Sequence, residues 1–191
     1  MRPRILVTGF GPFPGAPYNP TGALAHALAR GRHPLLRGAT VRARVLPTHW
    51  PSVATLIAEL ERDDPDVVLM LGLAAARRHV CIERLAVDAA EPLPDAAGAL
   101  PPVGVGEPAH IGCAAPAPRL LKALRAAGLP ARHSDDAGRY LCNALAFAVY
   151  ARAGATRRPR RAVFVHVPLA APRGRLLRGL QGVLAALVAR G

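Results

Sequence analysis

Val67-Val-Leu-Met-Leu71, entered from Asp66, is an unbroken aliphatic run. It is far shorter than the roughly 18 apolar residues a membrane helix needs. It also lacks the alternation of a strand with one wet face, so it reads as a strand covered on both sides. Such a strand requires helices above and below it. The flanking sequence supplies them. Upstream, Pro51 to Arg62 places Val53, Leu56, Ile57 and Leu60 on one helical face. Val41 to Leu46 alternates apolar and basic residues, as a half-exposed edge strand does. Asn19 is suited to cap a helix with Pro20 at its first position, running to about Arg30. The first strand is Ile5 to Thr8, ending at Gly9-Phe10.

Downstream, Ile82 to Val87 reads as one further strand, and Glu91 to Pro118 as a long Pro/Gly-rich excursion. A helix from about Pro118 to Ala127 leads to a short segment at Pro130–His133. Cys142 to Arg152 is helical, Ala162 to Val167 a strand, and Gly174 to Arg190 a closing helix. This alternation predicts an α/β fold: a three-layer α/β/α sandwich around a mainly parallel twisted sheet. With no repeat and no linker, residues 1–191 form one domain.

Composition narrows the function. At 51% hydrophobic residues the chain is not intrinsically disordered. No run is long enough to span a membrane, and the start lacks a signal-peptide pattern, which predicts a cytoplasmic protein. Three cysteines, Cys81, Cys113 and Cys142, are too few and too odd for a disulfide framework. The net charge of +13 raises the question of a polyanion partner. Yet all the basic residues except Lys122 are arginines spread along the chain. Their one dense cluster, Arg157 to Arg161, has no aromatic on which a base could stack. Nucleic acid is therefore not the expected partner.

Several stretches could carry chemistry. The loop Gly9-Phe-Gly-Pro-Phe-Pro-Gly15 follows a strand, but Pro14 replaces the third glycine of a dinucleotide fingerprint and the prolines remove amide donors. It is read as a rigid pocket wall presenting Phe10 and Phe13. His79, Cys81 and Glu83 recur with period two and would share one strand face. Without a fourth ligand they are not read as a metal site. Cys142 opens a helix, where free amides and the dipole favour a thiolate. His166 lies near the end of a strand. With the acid Glu83, these are the three parts of a cysteine hydrolase, although spacing alone leaves Cys81 and Cys142 also readable as buried core residues.

These blocks resemble the pyroglutamyl peptidase I (pyrrolidone-carboxylate peptidase) family of cysteine peptidases. The likeness is carried by Val7-Thr-Gly-Phe-Gly-Pro-Phe13 with Asn19-Pro20, Leu46-Pro-Thr48, Gly72 to Arg77 with Ile82-Glu-Arg-Leu-Ala86, Ala137 to Asn143, and Phe164-Val-His-Val-Pro168. The resemblance implies a Cys142/His166/Glu83 triad and a lactam pocket formed by Phe10, Phe13, Thr48, Leu93, Tyr140 and Leu141. It also implies removal of an amino-terminal pyroglutamyl residue from peptides without a cofactor or metal, by a cytoplasmic enzyme that often forms homo-oligomers.

The chain departs from the family pattern at two places. Leu73 replaces a glutamine beside the pocket, and Glu91-Pro-Leu-Pro-Asp95-Ala96 lacks an arginine and an asparagine that the family usually carries. These departures keep a second reading open, in which the same triad acts on a different small lactam or amide. A third reading is a non-enzymatic, Arg-rich polyanion-binding protein.

Overall fold

A computed structural model describes residues 2–189 apart from 14, 32 and 103–107. Three features read from the sequence therefore lie outside the described residues: Pro14, the middle of the 91–118 excursion, and the helix end at Arg190.

The decisive aliphatic run is β3 (Val67–Leu73), with six of its seven residues buried. It pairs in parallel with β1 (Arg4–Phe10) on one side and with β8 (Arg161–Val167) on the other. β2 (Thr40–Leu46) closes one edge in parallel with β1, its alternating burial matching its sequence. On the other side β8 meets β4 (Val80–Glu83), which runs antiparallel to it, and β7 (Ala131–Ser134) lies parallel to β4 at the far edge. The sheet order is β2-β1-β3-β8-β4-β7.

Alternate residues of these strands face opposite layers. Val67, Leu69 and Leu71 pack with α1 (Pro20–Arg30), α3 (Ala117–Ala126) and α5 (Arg173–Val188). Val68 and Met70 pack with α2 (Pro51–Asp63) and α4 (Leu141–Thr156) on the other side. Asn19 caps α1 by accepting from the Thr21 amide at 3.1 Å. The first turn of α1 presses so closely on β1 that a Cβ at Gly9 would stand 2.4 Å from the Thr21 carbonyl oxygen.

One expectation needs correcting. Residues 82–87 are not one strand: β4 ends at Glu83, and β5 (Leu85–Val87) leaves the main sheet to pair antiparallel with β6 (His110–Gly112). The break is at Arg84. Its amide donates to Ser134 O at 2.7 Å and its carbonyl accepts from Cys113 N at 2.8 Å, while its guanidinium pairs with Asp135. A strand-like pattern thus spans a change of sheet. β6 also gives the Pro/Gly-rich excursion a strand that its composition concealed.

Candidate active site

Three elements deliver the candidate groups to the carboxyl ends of the central strands, where open α/β sheets form their sites. Glu83 is the last residue of β4 and His166 the penultimate residue of β8. In the antiparallel register Glu83 lies opposite Phe164 and Cys81 opposite His166. Glu83 and His166 therefore share a face, and their side chains meet with Nδ1 of His166 2.7 Å from Oε1 of Glu83. Glu83 has no exposed surface and His166 only 4%. The Phe164 ring packs against the imidazole at a centroid distance of 4.9 Å.

Cys142 enters from the helix layer packed on that face, at the second position of α4. Its sulfur lines the same cavity as His166 and is near enough to act on the charge of the imidazole. With Nδ1 engaged by Glu83, the imidazole Nε2 is left for the sulfur. Gly72 makes this approach feasible. It is the register partner of His166 on β3, and a Cβ there would stand 2.9 Å from Cys142 Sγ and 2.6 Å from the Phe164 ring.

The electrostatics follow from this geometry. Burial disfavours a charged imidazole, but the Cys142 sulfur and the Glu83 carboxylate outweigh it and raise the His166 pKa to about 9. His166 thus keeps its proton at neutral pH, between a sulfur and a carboxylate. The amides of the first turn of α4, Cys142 included, have no acceptor within the helix and face the same end.

In front of the sulfur opens a cavity of about 170 Å³. Phe10, Phe13, Leu73, Tyr140 and Leu141 give it apolar walls, with Asn19, Thr48 and Ala137 completing the lining. Thr48 Oγ1 and Asn19 Nδ2 both donate to the Gly11 carbonyl, at 3.3 and 3.1 Å, which fixes the loop after β1. Tyr140 stacks edge-on against Trp50 at 5.3 Å and donates its hydroxyl proton to Pro94 O at 3.0 Å. Asp95 anchors the same segment to α2, accepting the Trp50 amide at 2.9 Å.

The sequence profile of the pyroglutamyl peptidase family matches residues 3–176. The chain belongs to the pyroglutamyl peptidase family. A pyrrolidone-carboxylate peptidase of Gloeobacter violaceus is 39% identical over 170 residues, covering 86% of this chain and 81% of its own. The enzyme of the same name from Mycobacterium marinum is 37% identical, over 86% of this chain and 77% of its own. Among solved structures, a mutant pyrrolidone carboxyl peptidase from Pyrococcus furiosus superposes with a TM-score of 0.88 at 28% identity, over 97% of this chain and 98% of that one. The pyrrolidone carboxyl peptidase of Thermococcus litoralis gives 0.87 at 27%, over 97% and 93%.

Within this pyroglutamyl peptidase scaffold, the structure brings Cys142, His166 and Glu83 together. It places Phe10, Phe13, Thr48, Leu73, Tyr140 and Leu141 around one cavity. Leu93 stands apart: it is 47% exposed and does not line the cavity, although the next residue holds Tyr140. His79 is exposed and precedes β4, so it does not share a sheet face with Cys81 and Glu83. Among the described residues no group of three or more His, Cys, Asp or Glu could hold a metal ion.

Sequence reasoning missed Asn19 and Ala137 as lining residues and Gly72 as the gap that admits the sulfur. Asn19 was legible only as a helix cap. Gly72 carried a signal, because a lone glycine in an aliphatic strand marks a close backbone approach. The Arg157–Arg161 cluster lies at the opposite, amino end of β8, where Arg158 pairs with Asp66 at 2.6 Å and Asp64 at 3.3 Å.

Proposed function

We propose that this chain is a single-domain cysteine exopeptidase that removes an amino-terminal pyroglutamyl residue from peptides, with Cys142 as nucleophile, His166 as acid and base, and Glu83 as the group that orients and charges His166. The observation that carries the reading is that Cys142 and His166 line one small apolar cavity while Glu83 holds Nδ1 of His166.

The chemistry is short. The Cys142 thiolate attacks the exocyclic carbonyl, forming a C–S bond and moving the carbonyl electrons onto oxygen. The amide of Cys142 is placed to stabilise that oxyanion. As the C–N bond breaks, the His166 imidazolium gives its proton to the leaving amine, and a thioester remains. Water then attacks the thioester while His166 accepts its proton; the acid leaves and the Cys142 thiolate is regenerated beside protonated His166. A flat, uncharged lactam suits walls of Phe10, Phe13 and Leu141 with few polar groups.

The same reading describes a cytoplasmic enzyme acting on soluble peptides with blocked amino termini, needing no metal and forming homo-oligomers. One fact supports the reducing compartment: Cys81, Cys113 and Cys142 are free thiols.

Leu73 favours a second reading. The wall beside the sulfur is aliphatic, and the donors of Asn19, Thr48 and Tyr140 already point at backbone carbonyls. A different small ring, with fewer polar edges, would fit such a wall. Release of a fluorogenic amine from its pyroglutamyl, cyclopentanecarbonyl and prolyl amides decides among these, with Cys142→Ala beside the wild type. Release from the pyroglutamyl amide alone, lost in Cys142→Ala, is the expected result. Preference for the cyclopentanecarbonyl amide would establish the second reading, and release unaffected by Cys142→Ala would overturn both.

A further inference from the structure

Arg77 lies on the loop between β3 and β4 and is not part of the cavity wall. Its Nη1 donates to Glu83 Oε1 at 2.6 Å, the same oxygen that takes Nδ1 of His166 at 2.7 Å. Its Nη2 donates to the Asp136 carbonyl at 2.8 Å. Asp136 belongs to the loop that enters α4, and its carboxylate accepts the Gly138 amide at 2.9 Å. One guanidinium therefore joins the acid at the end of β4 to the segment that delivers Ala137, Tyr140 and Cys142 to the site.

Burial works against the charge on Arg77, but Glu83 outweighs it and holds the proton on. A guanidinium is a permanent charge with donors splayed in a plane, so it can serve both partners at once. The opposite oxygen of Glu83, Oε2, is buried without a partner among the described residues. The carboxylate's polar contacts are thus concentrated on the oxygen shared by Arg77 and His166.

We propose that Arg77 is a positioning residue that holds the Glu83 carboxylate, aims it at His166, and couples that aim to the loop carrying Cys142. This inference rests on the triad reading above. The groups facing the Glu83–His166 pair are Arg77 and Cys81 from the β3–β4 side and Cys142 and Tyr150 from α4. Arg77 is the fixed positive charge among them. Removing it takes a fixed positive charge from beside the pair, so the reactive state of the site is reached only at higher pH.

The test uses Arg77→Gln and Arg77→Lys, with two readouts. The first is the rate at which iodoacetamide alkylates Cys142 as a function of pH, followed by peptide mapping; it needs no substrate. The second is kcat and KM on a pyroglutamyl amide. Arg77→Gln is expected to move the alkylation onset up by about one pH unit and to lower kcat about tenfold at neutral pH, with KM little changed. Arg77→Lys is expected to keep the wild-type onset, because the charge stays, but to lose part of kcat because one ammonium cannot hold both partners.

An unmoved onset and unchanged kcat in Arg77→Gln would sink the proposal. If Arg77→Gln does not fold, an Arg77→Lys enzyme with wild-type kcat would sink it equally. Wild-type alkylation with the expected onset, but no release from any pyroglutamyl amide, would overturn the substrate assignment and leave the role of Arg77 standing.

Discussion

Glu83 has no contact with solvent, so its carboxylate depends on the polar groups around it. Here they are the imidazole of His166 and the guanidinium of Arg77. Replacing Glu83 by glutamine removes one of the two neighbours that keep His166 charged. The upper limb of the activity profile then moves down from near pH 9, and kcat falls on the order of 100-fold or more. A pH series of kcat/KM on a pyroglutamyl amide reads this directly; an upper limb still near pH 9 would mean that Cys142 alone sustains the charge. Gly72 makes a second demand at this scale. Gly72→Ala pushes a methyl group into the Phe164 ring and Cys142 Sγ, and overpacking of that kind costs about 1–3 kcal/mol. Urea unfolding of the variant checks the cost. The slower alkylation of Cys142 that should accompany it would show that the sulfur has been displaced from the sheet surface.

At the level of elements, Tyr150 of α4 holds the two acid- and base-bearing strands in place. Its hydroxyl donates to Glu83 O and accepts from Phe164 N, both at 2.8 Å, standing between β4 and β8 at the step where Glu83 faces Phe164. Tyr150→Phe strands the buried Phe164 amide, so stability should fall by about 1–3 kcal/mol, measured as a shift in the urea midpoint. An unchanged midpoint would mean that the strands close and pair directly. This bridge also shows what a sequence can and cannot disclose. The aliphatic run at 67–71, the Asn19-Pro20 helix start and the Cys142 helix were legible because each is a local pattern. Cys142, His166 and Glu83 stood out locally only as candidates, since what puts Glu83 against His166 is the antiparallel pairing of β4 with β8. The break at Arg84 was hidden because its cause, Ser134 and Asp135 on β7 and the loop after it, is some fifty residues away. Arg77's attachment to Glu83 and Leu93's place outside the cavity were hidden for the same reason: both depend on how loops from different strands settle on one another.

Across the whole molecule, the site exists only when α4 is docked on the sheet, because the sulfur comes from α4 and its two partners from strands. The raised pKa of His166 is therefore a property of the folded state. In the unfolded chain a histidine titrates near 6.5, and in the folded protein His166 does so near 9. Between those values the folded state holds a proton that the unfolded state has lost. The stabilisation is fully present below pH 6.5 and is lost as pH rises through about 9. Cys113 and Tyr150, whose burial also raises their pKa values, enter only from their ordinary values of 9.0 and 10.0 upward, and do so alike with or without His166. The urea midpoint of the wild type should thus decline steadily from pH 6.5 to 9, and that of His166→Asn should decline less over the same range. Equal slopes in the two proteins would show that the proton on His166 contributes nothing to the fold, and would remove the imidazolium on which the catalytic reading depends.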